Sequence, residues 1–302
     1  MDRTLPISPS VTGSFSSGTW TGAITLTRPA TAVTLRAVDD AGHLGESTGF
    51  DVLASTDASL SSLVPSTGTL APAFTSANTS YTSSVANAST VMTLTPVSVN
   101  AFATIQVRVN GGAYSNVVSA LPSSSLTLAG GANTIEVRVT AQDTVTTKTY
   151  SIATTRRTPY QDWAFGLGLS GAGADPEGDI DADGLKNIQE WAFGTTPTAG
   201  SDGAIQVSSG VLIAHGAPAV FTTPDGQGGV NLFALFGRRK DASTVGLTYS
   251  VEFSETLTAW TVSSVTPTVI AQDSEIEAVV IPFPQIKSYP PRIFFRVRVT
   301  GQ

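Results

Sequence analysis

Six oxygen-bearing residues fall within one twelve-residue stretch: Asp179, Asp181, Asp183, Leu185, Asn187 and Glu190. Counted from Asp179 they occupy positions 1, 3, 5, 7, 9 and 12, and Gly184 stands at position 6. A calcium loop needs oxygen donors at those positions and a glycine where the chain turns sharply. Position 7 donates only its backbone carbonyl, so Leu185 is acceptable there. Asn187 can act directly or through water, and Glu190 is placed to give two oxygens at once. Between Asp175 and Glu190 lie six acids and one base, Lys186, so five of the chain's seven net negative charges crowd into sixteen residues. Water screens such close charges poorly. A hard divalent cation, Ca²⁺, would offset the repulsion.

The rest of the chain offers little other chemistry. There is no cysteine, which excludes disulfides, thiolate zinc sites and cysteine nucleophiles, and the two histidines are His43 and His215. A net charge of −7 and an isoelectric point near 4.8 argue against nucleic acid, whose phosphates call for a basic face. No apolar run is long enough for a helix to span a membrane. The start, MDRTLPISPSV, lacks the apolar core of a signal peptide, so export would depend on a signal outside this chain. The pattern Gly166, Gly168, Gly171 imitates a dinucleotide glycine loop, but it follows a helix and runs into acids. The pattern Gly45, Ser47, Gly49 imitates a nucleophile elbow, but a strand follows it rather than a helix. Trp20 and Trp260 could stack on sugars, although aromatics in strands more often pack in a core or at an edge.

The acidic loop must be held by its flanks, and these read as helical. Thr158 is a helix cap with Pro159 at the first helical position, and Tyr160, Trp163, Ala164 and Leu167 recur at helical spacing. Ile188, Trp191 and Ala192 follow the loop. The words DWAFG (162–166) and EWAFG (190–194) bracket it, so Trp163 or Phe165 is expected to pack against Trp191 or Phe193.

Everything else reads as β-structure. Hydrophobic residues make up 41% of the chain and charged ones only 13%, the polarity coming from 76 serines and threonines. In residues 131–140, Ile135, Val137 and Val139 alternate with Glu136, Arg138 and Thr140, giving a sheet one apolar and one wet face. Between 59 and 156, strands recur about every 8–12 residues, as in a sandwich. Residues 1–55 hold about four strands against the roughly seven of a sandwich, so they read as a partial immunoglobulin-like module. Strong strands return at 230–239, 247–260, 276–284 and 292–299.

Residues 59–156 resemble the cadherin-like β-sandwich domain of large bacterial surface proteins. The resemblance is carried by Leu60 and Leu63, the turn Gly68, Leu70, Pro72, Phe74, then Tyr81, then Gly131, Asn133, Ile135, then Val139, Thr140, Ala141, and the closing Thr149, Tyr150, Ile152, Thr155, Arg156. It implies a non-catalytic extracellular module and carries over no ligand residues. The loop 179–190, with the following Trp191, Ala192, Gly194, Thr195 and Pro197, is similar to thrombospondin type 3 and dockerin-like loops of exported bacterial proteins. Lys186 stands where paired EF-hands place an apolar residue, and no second loop follows, so a lone structural ion is implied and cohesin binding is not. The C-terminal third looks like the β module that ends some exported bacterial proteins.

The expected fold is all-β: tandem immunoglobulin- or cadherin-like sandwiches with one small EF-hand-like helical segment. The expected divisions are 1–55, 56–157, 158–199 as a helix–loop–helix joint, and 200–302. The expected function is a non-catalytic, calcium-binding segment of an exported cell-surface or adhesion-type protein, extracellular, meeting other surface proteins or glycans. The alternative is an accessory carbohydrate-binding region of a secreted glycan-active enzyme, which would show a solvent-exposed aromatic row in residues 200–302.

Overall fold

The computed structural model describes residues 4–200, 203–226, 230–284 and 293–301; the expected strand start at Arg292 lies outside them. The chain is all-β apart from two short helices among the described residues, and it divides into two compact units. One comprises Met1–Val85 and Ser89–Arg156, the other Ala86–Ala88 and Arg157–Gln302.

The first unit opens with six short strands: β1 (Ile7–Ser8), β2 (Thr25–Leu26), β3 (Ala30–Val33), β4 (Arg36–Val38), β5 (Leu44–Glu46) and β6 (Phe50–Val52). They form three two-stranded ladders, β1–β2, β3–β6 and β4–β5, and no described residue before Ala58 is buried. The sequence suggested about four strands here. The six are too short and too turn-rich to enclose a core of their own.

Nine strands follow: β7 (Leu60–Pro65), β8 (Ser80–Val85), β9 (Val91–Met92), β10 (Leu94–Ser98), β11 (Thr104–Val109), β12 (Ser115–Val117), β13 (Leu126–Thr127), β14 (Gly131–Thr140) and β15 (Thr147–Arg156). The main sheet runs β12-β11-β14-β15-β8, antiparallel except that β15 pairs parallel with β8. The period-two pattern of β14 sends Ile135, Val137 and Val139 into a core with Leu60, Leu63, Leu94, Tyr150 and Ile152. On the wet face Arg108 pairs with Glu136, whose carboxyl it holds below the usual carboxylate range.

Buried polar groups fix this sandwich. The fully buried Tyr150 hydroxyl, on β15, accepts the Leu60 N–H of β7 at 3.0 Å and donates to the Ser76 carbonyl at 3.2 Å. It therefore ties two different sheets together. Tyr81 donates to the Thr75 carbonyl at 2.8 Å, and Phe74 lies 5.8 Å from its ring. Gly68 takes φ +72°, and a Cβ there would stand 2.6 Å from Ser83 Oγ, so only glycine fits. Asn133 donates to the Ala129 and Gly131 carbonyls and accepts the Ala129 N–H, closing the turn before β14.

The second unit contains α1 (Pro159–Gly166), a 3-10 turn (Gly171–Ala174), α2 (Asn187–Phe193), and strands β16 (Gln206–Ser208), β17 (Val211–Ala214), β18 (Ala219–Pro224), β19 (Val230–Arg239), β20 (Thr248–Ser254), β21 (Thr261–Val262), β22 (Thr268–Gln272), β23 (Ile276–Pro282) and β24 (Phe294–Thr300). One sheet is ordered β18-β19-β23-β22, another β21-β20-β24. β19 and β23 are covered on both faces. Ala234, Phe236, Val279 and Ile281 face one cluster, while Leu235, Ala278 and Val280 face another. This is why these strands read as continuous apolar runs rather than alternating ones. The first cluster also contains Tyr160 and Ala164 of α1 and Ile188, Trp191, Ala192 and Phe193 of α2. The helical segment 158–199 thus shares its core with the strands that follow it.

Candidate metal centre

The first helix begins as its sequence dictates. The Thr158 hydroxyl accepts the Gln161 N–H while the Gln161 side chain accepts the Thr158 N–H, a reciprocal cap with Pro159 just inside it. Asp162 is tied to the Arg157 guanidinium at 2.5 Å. Trp163 packs 6.5 Å from Trp191, with Tyr160 against both rings. Of the expected aromatic pairs, this one forms. Phe165 lies outside, 62% exposed under the Arg157 guanidinium, and Phe193 turns into the β core.

The loop is closed at its base by backbone bonds. Asn187 N–H donates to the Gly178 carbonyl at 2.7 Å, and Ile188 N–H to the Pro176 carbonyl at 3.0 Å. Inside it the acids accept from the chain itself: Asp179 Oδ2 from Gly184 N–H at 3.1 Å, Asp181 Oδ1 from Asp183 N–H at 3.4 Å, and Asp183 Oδ1 from Leu185 N–H at 2.8 Å. Gly184 takes φ +99°, the sharp turn its position requires. These bonds curl the chain so that one carboxylate oxygen from each of Asp179, Asp181 and Asp183 lies within 4.8 Å of the others. At that separation each pair repels by about 1 kcal/mol in water and several times more at a partly buried site. Burial, followed by the charges of Asp183 and Asp179, pushes the Asp181 carboxyl above its ordinary range. Its Oδ2 is buried and has no hydrogen-bond partner.

Asn187 and Glu190 lie on the same side of α2, three residues apart, and both are fully buried. The Asn187 amide nitrogen donates to the Gly173 carbonyl at 3.1 Å and the Asp175 carbonyl at 2.8 Å. Those two bonds orient the amide, so Oδ1 turns away from the carbonyls, and Oδ1 has no hydrogen-bond partner. Glu190 is not within the close group of three carboxylates. Burial, followed by the charge of Asp175, pushes the nearby Tyr160 phenol up to about 12, with Glu190 adding to the effect and the Asn187 amide partly offsetting it. Leu185 packs its side chain against the core of the second unit. Lys186 pairs with Glu177 at 2.5 Å in an exposed bridge that adds little stability. The donor set is all oxygen, which suits a hard cation rather than zinc or copper.

The sequence reading missed two features here. One is the Asn187 latch on the Gly173 and Asp175 carbonyls, for which no side-chain pattern gives a signal. The other is the buried Tyr160 phenol beside Asn187, of which helical spacing predicted only the burial.

The other chemical candidates resolve into structural roles. Ser47 bonds the chain around Leu35 and Thr48 between two strands, with no helix after it. His43 pairs with Asp39 in an exposed turn. His215 borders an open cavity of about 430 Å³ with Gly194, Thr195, Thr196 and Asp273. Its Nδ1 lies 2.7 Å from the Gly194 carbonyl and its Nε2 2.6 Å from Asp273 Oδ2, so both ring nitrogens are engaged. Burial opposes ionisation of Asp273, but the N–H groups of Ile276 and Glu275 together with His215 outweigh it and hold its carboxyl below the usual range. Trp20 folds over Gly22. Trp260 is half-buried, with the Arg296 guanidinium 4.2 Å from its ring centroid. Among the described residues of the C-terminal strands, the exposed large hydrophobics are aliphatic except Phe294, so no aromatic row appears.

Strands β7–β15 form a two-layer sandwich around one core, pinned by Tyr150 and Tyr81. Residues 55–157, roughly a third of the chain, match the family model of the cadherin-like beta sandwich domain. Among curated proteins, none matches the chain.

Proposed function

We propose that residues 179–190 bind one calcium ion through Asp179, Asp181, Asp183, the Leu185 carbonyl, Asn187 and Glu190, and that the chain is a non-catalytic structural segment of an exported, cell-surface or adhesion-type protein. The observation that carries the calcium reading is a pair of buried, hydrogen-bond-free oxygens, Asn187 Oδ1 and Asp181 Oδ2, in a loop that already gathers three carboxylates. Buried polar oxygens are almost always satisfied, and a bound cation would satisfy these while cancelling the repulsion. When bound, the ion supplies charge and cross-linking, not reaction chemistry. The loop's own residues do the remainder: the N–H groups of Asp183, Gly184 and Leu185 aim the acids, and Asn187 holds the adjoining turn.

The surface role is supported by the cadherin-like match and by a composition rich in hydroxyls and free of cysteine. Among the described residues no helix is long and apolar enough to cross a membrane. The glycan-binding alternative gains no support from Trp260, whose ring already carries Arg296. Isothermal titration tests the calcium reading. One Ca²⁺ per chain is expected, with the heat lost in a variant carrying Asp179→Ala and Asp183→Ala. Absence of heat in the unmodified chain, with no effect of chelator on its melting, would refute it.

A further inference from the structure

We infer that calcium, through α2, controls the folding of the whole C-terminal unit, residues 157–302, and leaves the cadherin-like sandwich unaffected. The inference rests on the calcium reading above and extends it from a local site to the stability of a β core.

α2 is seven residues long, well short of the roughly 12–15 that an isolated helix needs to persist in water. It is held from two sides. On one, the loop closes onto its first turn through the N–H groups of Asn187 and Ile188, and the side chains of Asn187 and Glu190 are fully buried. On the other, Trp191, Ala192 and Phe193 are at most 2% exposed and pack with Phe236, Val251, Phe253, Val279 and Ile281. The contact reaches the backbone. A Cβ on Gly237 of β19 would stand 3.0 Å from the Phe193 carbonyl, and the Tyr249 hydroxyl of β20 donates to the Ala192 carbonyl at 2.8 Å. Arg239, at the end of β19, lies over the Trp191 ring. The end that the loop closes on and the residues that face the β core therefore belong to one short helix that cannot stand alone.

Without a cation, the repulsion among the three carboxylates weakens the closed loop and raises the share of chains in which it opens. Opening breaks the two base bonds and the Asn187 latch, which leaves α2 anchored only at its end. Loss of α2 uncovers β19 and β20, which are interior strands of the two C-terminal sheets. The sandwich core, by contrast, is a separate cluster built from residues 58–152 and includes none of these groups.

Hydrogen exchange of the full chain, followed by mass spectrometry in chelator and in calcium chloride alone, tests this alongside titration calorimetry. With free Ca²⁺ set to ten times the measured Kd, the folding constant of the unit that holds the ion rises about elevenfold. The slowest amides of β19 and β23 should gain about that factor of protection, while those of β14 and β15 change by less than about twofold. Calcium heat with protection gained only in residues 175–190 would overturn the coupling and leave the calcium site standing. An equal gain in both units would also overturn it, as a general ionic effect. No calcium heat would remove the site and the coupling together.

Discussion

Replacing Asn187 by Ala separates the structural role of this side chain from its proposed role as a ligand. The side chain is fully buried, and its amide makes two hydrogen bonds, to the Gly173 carbonyl at 3.1 Å and the Asp175 carbonyl at 2.8 Å. The Asp175 carbonyl keeps a second partner, Gly178 N–H at 3.0 Å, so its loss is an ordinary hydrogen bond of about 0.5–1.5 kcal/mol. The Gly173 carbonyl, in a half-buried turn, loses its side-chain partner at about 1–3 kcal/mol. Together, Asn187→Ala should cost the C-terminal unit about 1.5–4.5 kcal/mol with no metal present. For a unit of about 150 residues that is a fall in Tm of roughly 3–18 °C. The assay is thermal unfolding in chelator, followed by tryptophan emission, because Trp163 and Trp191 pack around Tyr160 directly against α2. A melting temperature within about 1 °C of the unmodified chain would refute the latch, and with it the view that α2 depends on the loop.

Three further outcomes follow from the geometry. Tyr150→Phe leaves the buried Leu60 N–H without its acceptor and should cost the sandwich about 1–3 kcal/mol in a denaturant titration, with the C-terminal unit unchanged. Gly194→Ala forces a side chain into a left-handed residue (φ +81°) with Ile276 Cγ1 2.6 Å and His215 Nδ1 2.8 Å from the new Cβ; it should cost at least about 2 kcal/mol, and circular dichroism should show α2 lost before the strands. Glu136 is ionised more readily in the fold than in the unfolded chain because Arg108 bonds it, so its contribution is complete above the ordinary glutamate range and drains away as pH falls through the lower folded value. Denaturant midpoints of the sandwich measured between pH 3 and 6 should therefore fall less steeply with acid in Glu136→Gln than in the unmodified chain.

Where one residue type answers one local demand, the sequence is a good guide. The alternation of Ile135, Val137 and Val139 sets the faces of β14 without reference to anything distant, and the spacing of Asp179, Asp181 and Asp183 around Gly184 is enough to bring three carboxylates together. The reciprocal cap of Thr158 and Gln161 is equally local. The fates of Phe165 and Phe193 are not. The repeated words DWAFG and EWAFG suggest equivalent roles, yet α1 buries the face of Tyr160 and Ala164 and leaves Phe165 outside, while Phe193 follows the end of α2 onto β19. Which side of a short helix is covered depends on strands more than forty residues away. Asn187 shows the same limit. Its spacing marks it as an oxygen donor, but its amide partners are carbonyls placed by a 3-10 turn that a Gly/Ala-rich stretch does not announce.

The parallel pairing of β15 with β8 has a mechanical consequence. The last strand of the sandwich aligns six residues, Ser151 to Arg156, beside Ser80 to Val85 in the same direction. If the start of β8 and the end of β15 are drawn apart along the strand axis, the rungs of that ladder share the load and must slide past one another together. A hairpin pulled from its open end would instead part rung by rung. Between those two points the seam therefore bears tension in shear, and the force that parts them should respond to substitutions along that seam more than to equally destabilising changes elsewhere.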